Sequence, residues 1–359
     1  MLFEILITIF SIVGILTLHE FGHFILAKLF KVKVEEFGIG YPPRIFKRKI
    51  GDTVYSLNLL PFGAFVKVLG EEGGVESVQS FKNKKIWQRA LIALGGVLSF
   101  WLMAAIIFSI IIGTGVYQAV EDEMNYNLSD PRVLITYIAP NSPAKKAGLE
   151  IGDVIKELEA PGYQIEINKV KDIQNFTNEN KGKEVIFTIQ RGDKIIEIPL
   201  IPRVLPPEGE GPTGIGLTRA AIVKYPWWLA PVKGIEATLK TTVFIVKGLF
   251  LALISAIKGL PTGVQLIGPV GIATMLVEAA QIGINYFLQI VGLIAIYLAI
   301  SNLLPIPIAD GGKILFLAIE KIRKKPFSQT IEIKINAIFF VLVFFLMIYV
   351  TIQDIGRLF

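Results

Sequence analysis

The stretch Leu18-His19-Glu20-Phe21-Gly22-His23 lies inside an apolar run from Leu2 to Leu29, and the reading of the whole chain turns on it. An α-helix completes a turn in about 3.6 residues, so positions i and i+4 share a face. His19 and His23 can therefore grip one metal ion, with Glu20 beside it. A catalytic zinc takes three protein ligands and keeps a fourth place for water, whose proton an adjacent carboxylate can accept. Hydrogen-bonded core histidines would leave the same five-letter pattern. Two facts oppose that: these are the only two histidines among 359 residues, and they sit in a segment otherwise almost wholly apolar. Ionisable groups at membrane depth cost roughly 2.5 to 3.5 kcal/mol per charge on insertion scales, and so mark function.

A hydrophobic fraction of 53% and a mean hydropathy of +0.59 exclude an ordinary soluble chain and imply a polytopic one embedded in a lipid bilayer. The net charge of +6 does not call for nucleic acid. Its lysines and arginines cluster beside apolar segments, as positive-inside sorting requires. The absence of cysteine removes disulfides, thiolate ligands and a Cys nucleophile. With two histidines available, a third protein ligand must be a carboxylate.

Residues 1–30 read as a first span. They lack a basic leader and a small-residue cleavage site, so the helix is retained. Lys28, Lys31, Lys33, Arg44, Lys47, Arg48 and Lys49 follow and place that end in the cytoplasm. Over 31–70, short alternating runs broken by Gly and Pro predict a membrane-associated β-hairpin region, with Gly51-Asp52 as a turn and an open edge that can pair with a substrate strand. Residues 71–80 form a polar loop, and 88–117 a second span whose Gly95, Gly96 and Ser99 permit close helix packing. Glu121, Asp122, Glu123 and Asp130 then mark the extracytoplasmic side.

A soluble α+β domain is expected over 127–219, with strands at 133–138, 154–158 and 214–217, helices after Ser142-Pro143 and over 170–178, and a hairpin about Arg191-Gly192-Asp193. Residues 206–212 form a linker. Segment 225–281 carries the interfacial anchor Trp227-Trp228, then an amphipathic helix over 232–257 whose Lys233, Glu236, Lys240 and Lys247 keep it on the membrane surface, then a break at Gly268-Pro269-Val270-Gly271. Third and fourth spans cover 282–305 and 335–353. The fold class is thus a polytopic α-helical membrane protein of about four transmembrane helices, with one inserted domain and both termini extracytoplasmic.

Depth sorts the carboxylates. His19 lies roughly 26 Å along the first helix, close to the cytoplasmic side. Glu4, Glu278 and Asp354 belong near the opposite face. Asp310 follows the inward-running third span in Asn302-Leu303-Leu304-Pro305-Ile306-Pro307-Ile308-Ala309-Asp310-Gly311-Gly312, where two prolines prevent a regular helix. It is the expected third ligand, ahead of Glu320 as the fallback and of a plain helix-capping role.

Together with the run Ala139 to Ile155, which resembles the signature of bacterial PDZ domains, the H-E-x-x-H and N-x-x-P-x-P-x-x-D-G-G motifs resemble the site-2 protease family of intramembrane zinc metalloproteases, in its bacterial regulated-proteolysis branch. Gly38-Ile39-Gly40, Pro61 to Lys67 and Gly268 to Gly271 extend the likeness over nearly the whole chain. Ala309 stands where the family usually has Leu, and Ala64-Phe65 where it usually has Gly-Tyr. The resemblance implies that His19, His23 and Asp310 hold Zn2+, that Glu20 is general base and then acid, and that Asn302 helps hold the substrate backbone or oxyanion. It also implies a single-span membrane substrate, such as an anti-sigma factor trimmed by an upstream site-1 type protease or a signal-peptide remnant, with the PDZ domain acting as a filter. A metal transporter would keep the ligands without needing Glu20, and a membrane-anchored PDZ adaptor would need no zinc.

Overall fold

A computed structural model of the chain describes residues 2–71, 77–124, 128–192, 194–207, 209–263, 266–325 and 327–357. Parts of the expected loop 71–80 and linker 206–212, the boundary residue Asn127 and the turn residue Asp193 lie outside these. The chain divides into two compact units, 1–111 with 231–359, and 112–230.

Helix α1, Leu2–Leu29, carries no ionisable residues apart from Glu4, His19, Glu20, His23 and Lys28, with no polar face along its length. It leads into β1, Val34–Ile50, and β2, Thr53–Val68, whose turn falls at Gly51-Asp52 as expected. Both strands are longer than the sequence runs implied, because each bends and pairs twice. The resulting sheet has the order 44–50, 53–58, 36–39 and 64–68, with Ala64–Val68 at one edge. Ala27, Val32, Val34, Val68 and Ile92 pack as one buried cluster that ties α1 and this sheet to α2, Ile86–Thr114.

The inserted module begins earlier than residue 127, because β3, Val116–Ala119, already belongs to its sheet. It continues with β4 (Leu128–Ile138), α3 (Pro143–Ala147), β5 (Val154–Ala160), β6 (Tyr163–Glu166), α4 (Val170–Glu179), β7 (Val185–Arg191), β8 (Lys194–Leu200) and β9 (Ile215–Val223). Sheet order is β3-β9-β4-β5-β7-β8, with β6 on β5. Ser142 caps α3 by accepting from the Lys145 N–H at 3.2 Å, and Gly148 ends it at φ 85°, a left-handed turn that favours glycine. Ile135, Ile155, Leu158, Ile173, Phe187 and Ile189 form the core.

The first unit resumes with α5 (Ala230–Ile257), α6 (Pro269–Ile282), α7 (Ile284–Leu303), α8 (Asp310–Arg323) and α9 (Gln329–Arg357). Among the described residues five helices are long and apolar enough to cross a membrane: Phe3–Leu29, Ile86–Thr114, Ala230–Ile257, Ile284–Leu303 and Thr330–Arg357. The additional one is α5. Three of its four charged residues form one cluster, Glu236 pairing with Lys233 at 2.8 Å and with Lys240 at 2.6 Å.

Candidate active site

His19, Glu20 and His23 lie in the second half of α1. The Nδ1 of His23 stands 2.8 Å from the Ile92 carbonyl oxygen of α2. A carbonyl only accepts, so the proton is on Nδ1 and Nε2 turns its lone pair inward. The His19 ring stacks on Phe100 with centroids 4.6 Å apart, which fixes its plane. Asp310, the first residue of α8, completes the group. The Nε2 atoms of the histidines are 3.3 Å apart, and Asp310 Oδ2 lies 3.5 Å from His19 and 3.4 Å from His23.

Those three separations fit a metal. A tetrahedral zinc with bonds of about 2.0 to 2.1 Å sets its ligands about 3.3 to 3.4 Å apart. Asp310 Oδ2 is buried with no hydrogen-bond donor, an orphan that a cation would satisfy. The neutral-nitrogen and carboxylate donor set suits zinc.

Close backbone approaches bring the ligands together. A Cβ on Gly22 would fall 2.6 Å from the Gly95 carbonyl carbon, so α1 and α2 touch through glycine. A Cβ on Gly96 would fall 2.5 Å from both His19 Nδ1 and His23 Nε2. The Pro305 to Ala309 turn folds the start of α8 back on the end of α7, where a Cβ on Gly312 would lie 2.5 Å from Pro307 Cα.

Glu20 points at the sheet: its Oε2 accepts from the Val66 N–H at 3.1 Å, on the edge segment of β2. Both belong to a cavity of about 980 Å³, lined also by His19, His23, Asp310, Asn302 and much of Ala64–Glu71. Asn302 lines it while its Nδ2 donates to the Leu298 carbonyl of its own helix at 2.9 Å. The fallback Glu320 is elsewhere, bound by both terminal nitrogens of buried Arg89. Asp354 is also remote, accepting from the N–H groups of Gly268 at 2.9 Å and Gly271 at 2.8 Å.

Sequence reasoning missed Lys313. It lines the cavity one turn beyond Asp310 and bonds Glu71 at 2.6 Å, and that carboxylate holds its ammonium well above the ordinary lysine range. The i+3 spacing from Asp310 was the available signal.

Sequence comparison matches Peptidase family M50 over residues 7–346. The chain belongs to peptidase family M50. A putative zinc metalloprotease of Clostridium perfringens is 34% identical over 354 residues, covering 98% of each chain. Another from Clostridium acetobutylicum is 31% identical over 353 residues, covering 98% of this chain and 97% of its own. Zinc metalloprotease RasP of Oceanobacillus iheyensis is 27% identical over 434 residues, covering 96% and 97%. A solved PDZ domain from Listeria monocytogenes is similar at 20% identity and TM-score 0.21, covering 26% of this chain and 92% of that one. This M50 chain is thus a zinc metalloprotease of the site-2 protease family, with zinc as its cofactor.

Proposed function

We propose that this M50 protease cuts single-span membrane proteins within or near their transmembrane segment, in regulated intramembrane proteolysis. One observation carries the reading: the donor triad, Glu20 and the sheet-edge segment Ala64–Val68 share one cavity in a unit built of membrane-length helices. In this reading His19, His23 and Asp310 hold the metal. Bound zinc supplies Lewis-acid polarisation of the scissile carbonyl.

The rest falls to the chain. A substrate helix hides its carbonyls in i to i+4 bonds, so it must unwind before attack. The Ala64–Val68 edge receives the unwound strand by main-chain pairing. Glu20, aimed by the Val66 N–H, takes the proton of the attacking water and returns it to the leaving nitrogen. Asn302 offers its amide to the substrate backbone or the developing oxyanion. Suitable substrates are anti-sigma factors already trimmed by a site-1 type protease and signal-peptide remnants, with the PDZ-type module excluding partners that keep a bulky ectodomain.

Positive flanks around Lys31 and Arg44–Lys49 put the site near the cytoplasmic face, with both termini and the module outside. Four helices then cross, and α5 lies along the outer surface. Its first turns pack by Gly234 against Ala105 and Ser109 near the end of α2. Residues 258–267 then lead to Gly268, which is fastened to Asp354 near the end of α9. Both anchors belong to the outer face. Had α5 crossed, the ten residues between Ile257 and Gly268 would have to recross lipid, too few for a spanning helix.

The test is cleavage of a tagged, pre-trimmed single-span substrate in liposomes by wild type, Glu20→Gln and Asp310→Asn, with zinc assayed on the same samples. Both variants should lose cleavage, the first keeping zinc and the second losing it. A wild type that holds zinc yet cuts no member of a substrate panel refutes the reading.

A further inference from the structure

Most of the charges that line the active-site cavity pair off, and one is left over. Glu35 meets Lys67 at 3.2 Å, and Glu71 meets Lys313 at 2.6 Å. Glu20 and Asp310 belong to the metal centre, where a divalent zinc matches both. That leaves Glu332, in the first turn of α9. Its carboxylate has no hydrogen bond and no ion pair among the described residues, and Lys313, already bonded to Glu71, acts on it only at a distance. One turn further along α9, Asn336 also lines the cavity, and its Oδ1 is buried without a donor. Positions i and i+4 share a helix face, so the two acceptors are neighbours on the wall that α9 contributes.

Their place makes this pair informative. Glu332 stands near the start of Thr330–Arg357, a helix long and apolar enough to cross a membrane. Ionisable groups in such helices face a protein-lined or wet path and mark what passes along it. A first-turn carboxylate also suits the helix dipole, but it would do so equally facing water and has no need of the Asn336 oxygen. One kind of group satisfies both acceptors: a cation bearing several N–H donors, which among side chains means Lys or Arg.

We propose that Glu332 and Asn336 form a subsite for one Lys or Arg side chain of the substrate, on the cytoplasmic flank of its transmembrane segment. The inference rests on the membrane-protein substrate and the sidedness proposed above. In that sidedness α9 starts at the cytoplasmic face, after Lys321, Arg323, Lys324 and Lys325, and a single-span protein carries its own Lys and Arg residues on the same side. The unwound strand lies along Ala64–Val68. Glu71 turns back at the end of that edge, its N–H donating to the Val68 carbonyl at 3.2 Å. Lys313 and Glu71 are the strongest electrostatic neighbours of Glu332, so a substrate residue leaving the edge at this end meets the α9 wall. The subsite thus sets which stretch of the substrate stops over the metal.

The test is binding to the full chain in nanodiscs of phosphatidylcholine, in the Glu20→Gln background so that nothing is cut. The probes are labelled single-span peptides with an apolar segment of about 20 residues, followed on the cytoplasmic side by two lysines, two glutamines or two glutamates. The lysine peptide should bind about tenfold more tightly than the glutamine one, the scale of one charge-assisted contact. Adding Glu332→Gln should erase that preference while bound zinc is unchanged. Adding Glu332→Lys instead should reverse it, so that the glutamate peptide binds best, a gain that misfolding cannot produce. A lysine preference that survives both substitutions overturns the proposal, as does its absence before either is made, including no binding of any peptide. Cleavage is not the readout, so a chain that shows the preference yet cuts no substrate refutes the protease reading and leaves the subsite standing.

Discussion

Adding one methyl group at Gly96 should dismantle the metal site while leaving the helices in place. A Cβ there would stand 2.5 Å from His19 Nδ1 and from His23 Nε2. Withdrawing each nitrogen to 3.0 Å, the nearest approach that real Cβ atoms show, moves it by about 0.5 Å. Ligand distances in a working metal site vary by only about 0.2 Å. The rings have little room to retreat, since His23 is tied to the Ile92 carbonyl and His19 is stacked on Phe100. Displacing groups that orient ligands typically lowers metal affinity about 10- to 100-fold, or about 1.4 to 2.7 kcal/mol. We therefore expect Gly96→Ala to lose zinc at a correspondingly lower chelator concentration, and to lose cleavage in parallel, with unchanged helix content by circular dichroism. Gly14→Ala is the control, because a Cβ there meets nothing within 4 Å. Zinc affinity in Gly96→Ala equal to wild type would refute the argument that this glycine exists to seat the histidines.

Arg89→Leu should leave the Glu320 carboxylate half-buried without its partner, costing about 3 kcal/mol of thermal stability, and exchanging the two residues as Arg89→Glu with Glu320→Arg should recover much of it. Val66→Pro removes the N–H that aims Glu20. It should lower kcat while bound zinc stays at the wild-type level, and zinc loss would show instead that this strand supports the ligands. If α5 lies along the surface, a single cysteine at position 257 should react with an impermeant thiol reagent added to the module's side of sealed vesicles. Labelling only from the opposite side would show that α5 crosses.

What could be read in the sequence was what local chemistry dictates. His19 and His23 share a face because helical periodicity allows nothing else, and Asp310 stood out because two prolines interrupt an apolar stretch just before it. Ser142-Pro143 and Gly148 gave the ends of α3 for the same reason. The rest depends on pairings between distant residues. Arg89, near the start of α2, is buried against Glu320, 231 positions away, and that pairing removes Glu320 from the ligand candidates. Residues 116–119 escaped notice as a strand because four residues have no periodicity to detect, and only β9, a hundred residues on, makes them one.

Glycine is the recurring device of the membrane unit, and the bilayer explains why. Between helices in lipid there is no hydrophobic force to draw surfaces together, so position rests on how closely backbones can approach. Gly22 and Gly95 let α1 and α2 touch at the level of the metal ligands, and Gly96 leaves room for the two rings. On the other side a Cβ on Gly311 would fall 2.6 Å from the Leu303 carbonyl carbon, and one on Gly312 would strike Pro307. The two glycines after Asp310 therefore allow α8 to start against the end of α7, where its first carboxylate reaches histidines 287 to 291 positions earlier in the chain. A larger residue at any of these places keeps all three ligands in the sequence and separates them in space. The D-G-G run is thus a ligand followed by the two residues that let it arrive, and its glycines belong to the metal site as firmly as the aspartate does.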